Sequence, residues 1–120
     1  NEQCANVPYM LGRLFAVLEH IQQEANPGIN ATIKDRYFNA AASTPAQVFP
    51  VLLNLAQKHL RKLGEGEKGY LKVHFNKQIG ELMERIGEEY PKRLNLPKQG
   101  SFQLGYYCQT QKRYQKKEEK

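Results

Sequence analysis

Apolar side chains recur at three- and four-residue spacing through almost the whole chain, the period of helices that bury one face. Between residues 8 and 25 they are Leu11, Leu14, Phe15, Leu18 and Ile21. Asn6 is placed to cap this helix, Pro8 falls in its first turn, and Asn26-Pro27-Gly28 stops it. A shorter helix follows over about residues 31–41, with Ile33, Tyr37 and Ala40 on one side and Asn30 as its expected N-cap. Ser43-Thr44-Pro45 is the next start signal, an oxygen-bearing cap ahead of a first-turn proline. The third helix runs to about residue 63 with Phe49, Leu52, Leu53, Ala56, Leu60 and Leu63 inward. Pro50 demands either a kink or a regular start only near Phe49.

After a polar, glycine-rich loop over residues 64–69, a fourth helix is predicted to residue 86. Phe75, Ile79, Leu82, Met83 and Ile86 face inward, and Lys77–Glu81 and Glu81–Arg85 pair on the outside. Pro91 and Pro97 mark a loop, and Asn95 caps a last helix over about residues 97–116 with Phe102, Tyr106, Gln109 and Arg113 in one stripe. No strand-like alternation bounded by hairpin turns occurs. The pattern predicts an all-α, compact bundle of about five helices, a single domain over residues 1–120, with 112–120 as a frayed basic tail.

The chain's 120 residues and 13.9 kDa suit one domain. Mean hydropathy is −0.72, and no apolar run approaches the ~20 residues of a spanning helix. The first six residues carry no signal-peptide pattern, and Cys4 and Cys108 lack CxxC or CxxH context. These features point to a soluble intracellular domain. The chain lacks an initiator Met, which leaves open a piece of a longer protein.

Charge changes the picture through its distribution. Residues 1–60 hold four Lys/Arg against four acids, and residues 61–120 hold fourteen against eight, so the whole net +6 lies in the second half. One-sided basic charge suits a polyanionic partner, nucleic acid or an anionic membrane face.

Catalytic patterns do not emerge. His20, His59 and His74 have no metal-ligand spacing, and adjacent Glu88 and Glu89 point apart if helical. Ser43 and Ser101 read as cap or surface residues, and no phosphate-cradling glycine loop is present. Asn30-Ala31-Thr32 matches the glycosylation sequon, but capping fits it better in a chain without a secretory route. Neither a catalytic residue nor a metal nor a cofactor is expected.

The positive signal is cations at helical spacing with tyrosines among them. Asn54, Lys58, Arg61 and Lys62 lie opposite the leucine face of the third helix, where a stripe of cations can follow a phosphate backbone. On the last helix Tyr107 and Tyr114 are two turns apart beside Lys112 and Arg113, a combination suited to stacking and neutralising unpaired nucleotides. Lys34 and Arg36 flank Asp35 on different faces of the second helix. Either the cations meet a ligand from an irregular helix end, or Asp35 orients a cation of another helix. The opposing reading is ordinary, a solvated basic face and tyrosines that belong to the core.

Four blocks add a resemblance. They are residues 9–19 (YMLGRLFAVLE), 29–38 (INATIKDRYF), 44–50 (TPAQVFP) and 104–107 (LGYY). In order and spacing the chain resembles, over about residues 8–119, the C-terminal helical domain of the large subunit of the type I-C CRISPR surveillance complex, Cascade. The same stretch resembles the small subunit made from an internal start within that large-subunit gene, and a length of 120 residues favours the latter. The resemblance implies a non-enzymatic, cytoplasmic, prokaryotic component of an RNA-guided DNA-binding machine. Its implied partners are the backbone and large subunits, guide RNA, target DNA (chiefly the displaced non-target strand) and a neighbouring copy of itself, with no membrane role. Base pairing would read sequence while protein cations hold the strands. The expected phosphate contacts are Lys34, Arg36, Lys58, Arg61, Lys62, Lys112 and Arg113, with Tyr107 and Tyr114 as stacking candidates.

Two other readings compete. A pure assembly scaffold would use its apolar and tyrosine surfaces on protein neighbours and leave its cations solvated. A helix-turn-helix regulator would need base-reading side chains at a helix start, and residues 42–50 hold no Arg, Asn or Lys.

Overall fold

In the computed structural model, which describes residues 6–87 and 90–118, the five expected helices form. They are α1 (Val7–Ala25), α2 (Ile33–Ser43), α3 (Pro45–Gly64), α4 (Gly69–Ile86) and α5 (Leu96–Glu118). Local chemistry explains most of their ends. The Asn6 side chain accepts from Tyr9 N at 3.2 Å, capping α1, and Gly28 takes φ 88° in the turn that follows. Asn95 Oδ1 accepts from Lys98 N at 3.1 Å and starts α5. The segment from residue 112, expected to fray, is helical to Glu118. Side chains from Tyr114 onward lie outside the described residues, as do Cys4, Glu88 and Glu89.

Two local expectations, the caps of α2 and α3, are corrected, and the alternatives at Asp35 and Pro50 are narrowed. The N-cap of α2 is Thr32, not Asn30. Thr32 Oγ1 accepts from Lys34 N at 3.2 Å while Asp35 Oδ2 accepts from Thr32 N at 2.8 Å, a reciprocal capping box that needs an acid three residues after the cap. Asn30 has no such partner at the corresponding position, residue 33, which is Ile. Asp35 is thereby used locally, and among the described residues it pairs with no cation from another helix. Thr44 does stand before α3, but its hydroxyl donates backwards to Ala40 O at 3.0 Å because the same residue closes α2. Pro50 delays nothing. The helix begins at Pro45 and passes through Pro50, which lies on the solvent face.

α1 is the axis around which the other helices pack, with its most extensive contact against α5. Gly12 and Gly105 permit that contact: a β-carbon at Gly12 would overlap the Phe102 carbonyl, and one at Gly105 the Tyr9 carbonyl. Above this crossing Phe15 meets Phe38, Phe102 and Tyr106 edge-on, with centroids 5.4–5.9 Å apart. The loop after α4 is stitched to the α2–α3 junction. Leu94 N donates to Ser43 O at 2.9 Å, Ala46 N donates to Pro91 O at 3.0 Å, and Tyr90 stacks on Phe49 at 5.6 Å. The result is one globule with a radius of gyration of 14.0 Å. No described helix is long and apolar enough to cross a membrane.

Candidate nucleic-acid interface

The stripe on α3 is preserved. Phe49, Leu52, Ala56, Leu60 and Leu63 are buried, which turns Asn54, Lys58, Arg61 and Lys62 to solvent. Lys58 and Arg61 make no hydrogen bond or ion pair with any described residue. Lys62 differs. Its Nζ donates to Asn26 Oδ1 at 2.7 Å, at the C-cap of α1, where a cation also faces the negative end of that helix. The other end of the Asn26 amide is hydrogen-bonded to His59 Nδ1 at 3.3 Å. Burial, and secondarily the Lys62 charge, push the His59 pKa below the ordinary histidine value.

A second cluster joins α2 to α5. Lys34 is half-buried, and its Nζ lies 5.1 Å from the Tyr106 ring centroid, 5.7 Å from Phe38 and 5.8 Å from Tyr107. Arg36 is exposed on another face of α2. Tyr106 is buried and its hydroxyl donates to Glu19 Oε1, whereas Tyr107, edge-on to it at 5.5 Å, is 55% exposed. Burial first and the Glu19 bond second raise the Tyr106 hydroxyl well above the ordinary phenol range.

The third location is a groove of about 790 Å³ between α4 and α5, floored by α1. Lys112 and Arg113 line it with Arg13, His20, Tyr70 and His74. Arg113 reaches inward, donating through Nη1 to Gln23 Oε1 on α1, and Arg13 Nε donates to Gln109 Oε1 at 3.0 Å. The seven expected cations thus divide among the end of α3, the α2–α5 cluster with Arg36 nearby in sequence, and this groove. The Tyr114 side chain is outside the described residues.

Several features had no counterpart in the sequence pattern. Glu19 is 8% exposed and also accepts from Thr32 Oγ1 at 2.7 Å, so one carboxylate ties α1 to the cap of α2 and to α5. Tyr70, Val73, Leu96 and Leu104 are large, apolar and 61–80% exposed. Leu104 and Tyr107, three apart on α5 and off the inward Phe102–Tyr106 stripe, were the available signal for such a surface. Among the described residues no three His, Cys, Asp or Glu side chains gather as a metal site requires.

Fold and surface define, among the described residues, a helical module that presents cations at three places, two of them beside aromatic rings. A family model described as CRISPR-associated protein (Cas_Csd1) matches residues 1–114 of the 120. The chain belongs to this CRISPR-associated, Cascade-type family of type I-C systems. No curated protein matches it at a significant level.

Proposed function

We propose that this chain serves as the small-subunit module of the type I-C complex, packing along the backbone and large subunits and stabilising the opened target DNA by sequence-independent contacts. It catalyses no reaction in this reading, works in the prokaryotic cytoplasm beside guide RNA and a neighbouring copy of itself, and chiefly holds the displaced non-target strand. The observation that carries the proposal is the pair Lys58 and Arg61, exposed on α3 with no partner among the described residues. Cations left uncommitted within a fold are free to neutralise phosphates and release counterions. Arg36 and Lys112 are exposed in the same way and join the proposed contact set with Lys62 and Arg113, whereas Lys34 is held among aromatic rings.

The test is R-loop formation by the reconstituted complex with the chain present, absent, or carrying Lys58→Glu, Arg61→Glu and Lys62→Glu together. The proposal expects the variant to assemble while the displaced strand becomes accessible to single-strand probes and target binding weakens. Normal R-loops with the variant, alongside failure when the chain is omitted, would favour the second reading, a pure assembly scaffold. The specific observation in its favour is the exposed apolar set Leu96, Leu104, Tyr70 and Val73.

A further inference from the structure

We propose that Lys34 is a positioning residue for Tyr107, its ammonium group holding the exposed ring in the orientation that receives an unpaired base, instead of contacting phosphate itself. The inference rests on the reading above that the chain holds a displaced single strand, with Tyr107 as the stacking candidate expected from the sequence.

Lys34 is anchored at its root. Its backbone N–H is held by Thr32 Oγ1 at 3.2 Å, and the same hydroxyl donates to Glu19 Oε2 at 2.7 Å. The other oxygen of that carboxylate receives the Tyr106 hydroxyl. A single buried carboxylate therefore sets the start of α2 and the ring of Tyr106 relative to one another, and the Lys34 side chain spans the gap between them. Its ammonium ends within 6 Å of three ring centroids, the range in which a ring's quadrupole attracts a cation. No carboxylate pairs with it among the described residues.

The three rings are not equivalent. Tyr106 is 5% exposed and Phe38 is half-buried against the core, whereas more than half of Tyr107 is open to solvent. Tyr106 braces Tyr107 edge-on, and Lys34 supplies an attraction that the open ring would otherwise lack. A base stacking on a ring already fixed loses less rotamer freedom on binding than one that must first order it. Reaching for a phosphate would withdraw the ammonium from all three rings, a cost that exposed Lys58 and Arg61 do not bear.

The experiment compares wild type, Lys34→Met, Lys34→Arg, Tyr107→Ala and the Lys34→Met/Tyr107→Ala double variant. Binding to a single-stranded oligothymidylate carrying one 2-aminopurine is measured across a salt series. Lys34→Met should weaken binding about two- to tenfold. Its salt slope should match wild type, Lys34→Arg should restore affinity, and the substitution should have no further effect once Tyr107 is Ala. Loss that adds independently to Tyr107→Ala, with the slope reduced by about 0.7, makes Lys34 a phosphate contact and overturns the inference. Tyr107→Ala that binds like wild type instead removes the underlying reading of Tyr107. Ring-carbon relaxation of Tyr107, measured without DNA, decides positioning in either case. Its mobility should rise in Lys34→Met, and an unchanged ring overturns the inference.

Discussion

The carboxylate of Glu19 accepts the hydroxyl of Tyr106 across 87 residues of chain, and it does so inside the bundle. A buried carboxylate is costly unless its oxygens are satisfied, and here Tyr106 takes one and Thr32 the other. Tyr106→Phe keeps the ring packing against Phe15 and Phe38 and removes only the donor. It should destabilise the chain by about 1.5–3 kcal/mol, the range for hydrogen bonds to charged groups. Thermal unfolding would show this as a fall in Tm of several degrees.

The same bond has an alkaline signature. Tyr106 is held neutral in the fold, so its pKa is raised relative to the unfolded chain. Its contribution to stability is complete below about pH 10, the ordinary tyrosine value, and declines as pH rises above it because only the unfolded chain ionises readily. Wild type should therefore lose stability above that pH more steeply than Tyr106→Phe. Equal slopes in alkaline denaturant titrations would mean that the hydroxyl is not protected.

Two glycines and a third predict opposite signs. Gly12 and Gly105 sit where the α1 and α5 backbones touch, and a methyl at either meets a carbonyl that cannot move without separating the helices. Gly12→Ala or Gly105→Ala should cost about 3 kcal/mol or more, as overpacking against backbone does. Gly80, inside α4 and exposed, has no neighbouring atom within 4 Å of the place a methyl group would occupy. Gly80→Ala should stabilise by about 0.5–1 kcal/mol through helix propensity. Urea titration of the three variants separates the cases.

His59 gives the acid counterpart. Burial and Lys62 hold its folded pKa down, so the unfolded chain binds the proton first. Stability should be intact above about pH 6.5 and fall as pH drops through the interval between that value and the lowered folded one. His59→Gln should flatten this decline. An acid limb of unchanged steepness in the variant would place its origin elsewhere.

How far the sequence could be read depended on how local each determinant is. Asn6, Asn95 and the leucine face of α3 act within a turn or two, and each was legible. The cap of α2 was misplaced because Asn30 and Thr32 are both good cap residues. What decides is Asp35, three positions after Thr32, whose side chain closes the box. The same contact took Asp35 away from any role beyond its own helix. Glu19 reads as one acid beside an apolar stripe, and nothing near it in sequence announces Tyr106 or Thr32. Gly12 and Gly105 likewise look like weak helix positions until α1 and α5 are laid together. For the candidate site, spacing within α3 was enough to place Lys58 and Arg61 on one face. Whether cations of different helices merge is a question of packing, and Lys34 and Arg113 are drawn toward α5 and α1 instead.

That division makes a graded prediction for DNA. If Lys58 and Arg61 each neutralise a phosphate, Lys58→Gln/Arg61→Gln should lower the slope of log affinity against log salt by about 1.4, twice the single-strand value per contact. Lys62 is already engaged with Asn26 and stands beside His59. Lys62→Gln should move the slope less than either neighbour does, and should instead raise the His59 pKa by removing a like charge. The salt series and an NMR titration of the His59 ring measure the two effects separately. A full slope loss from Lys62→Gln, with the His59 titration unmoved, would mean that Lys62 leaves Asn26 to bind DNA and that all three cations act as one stripe.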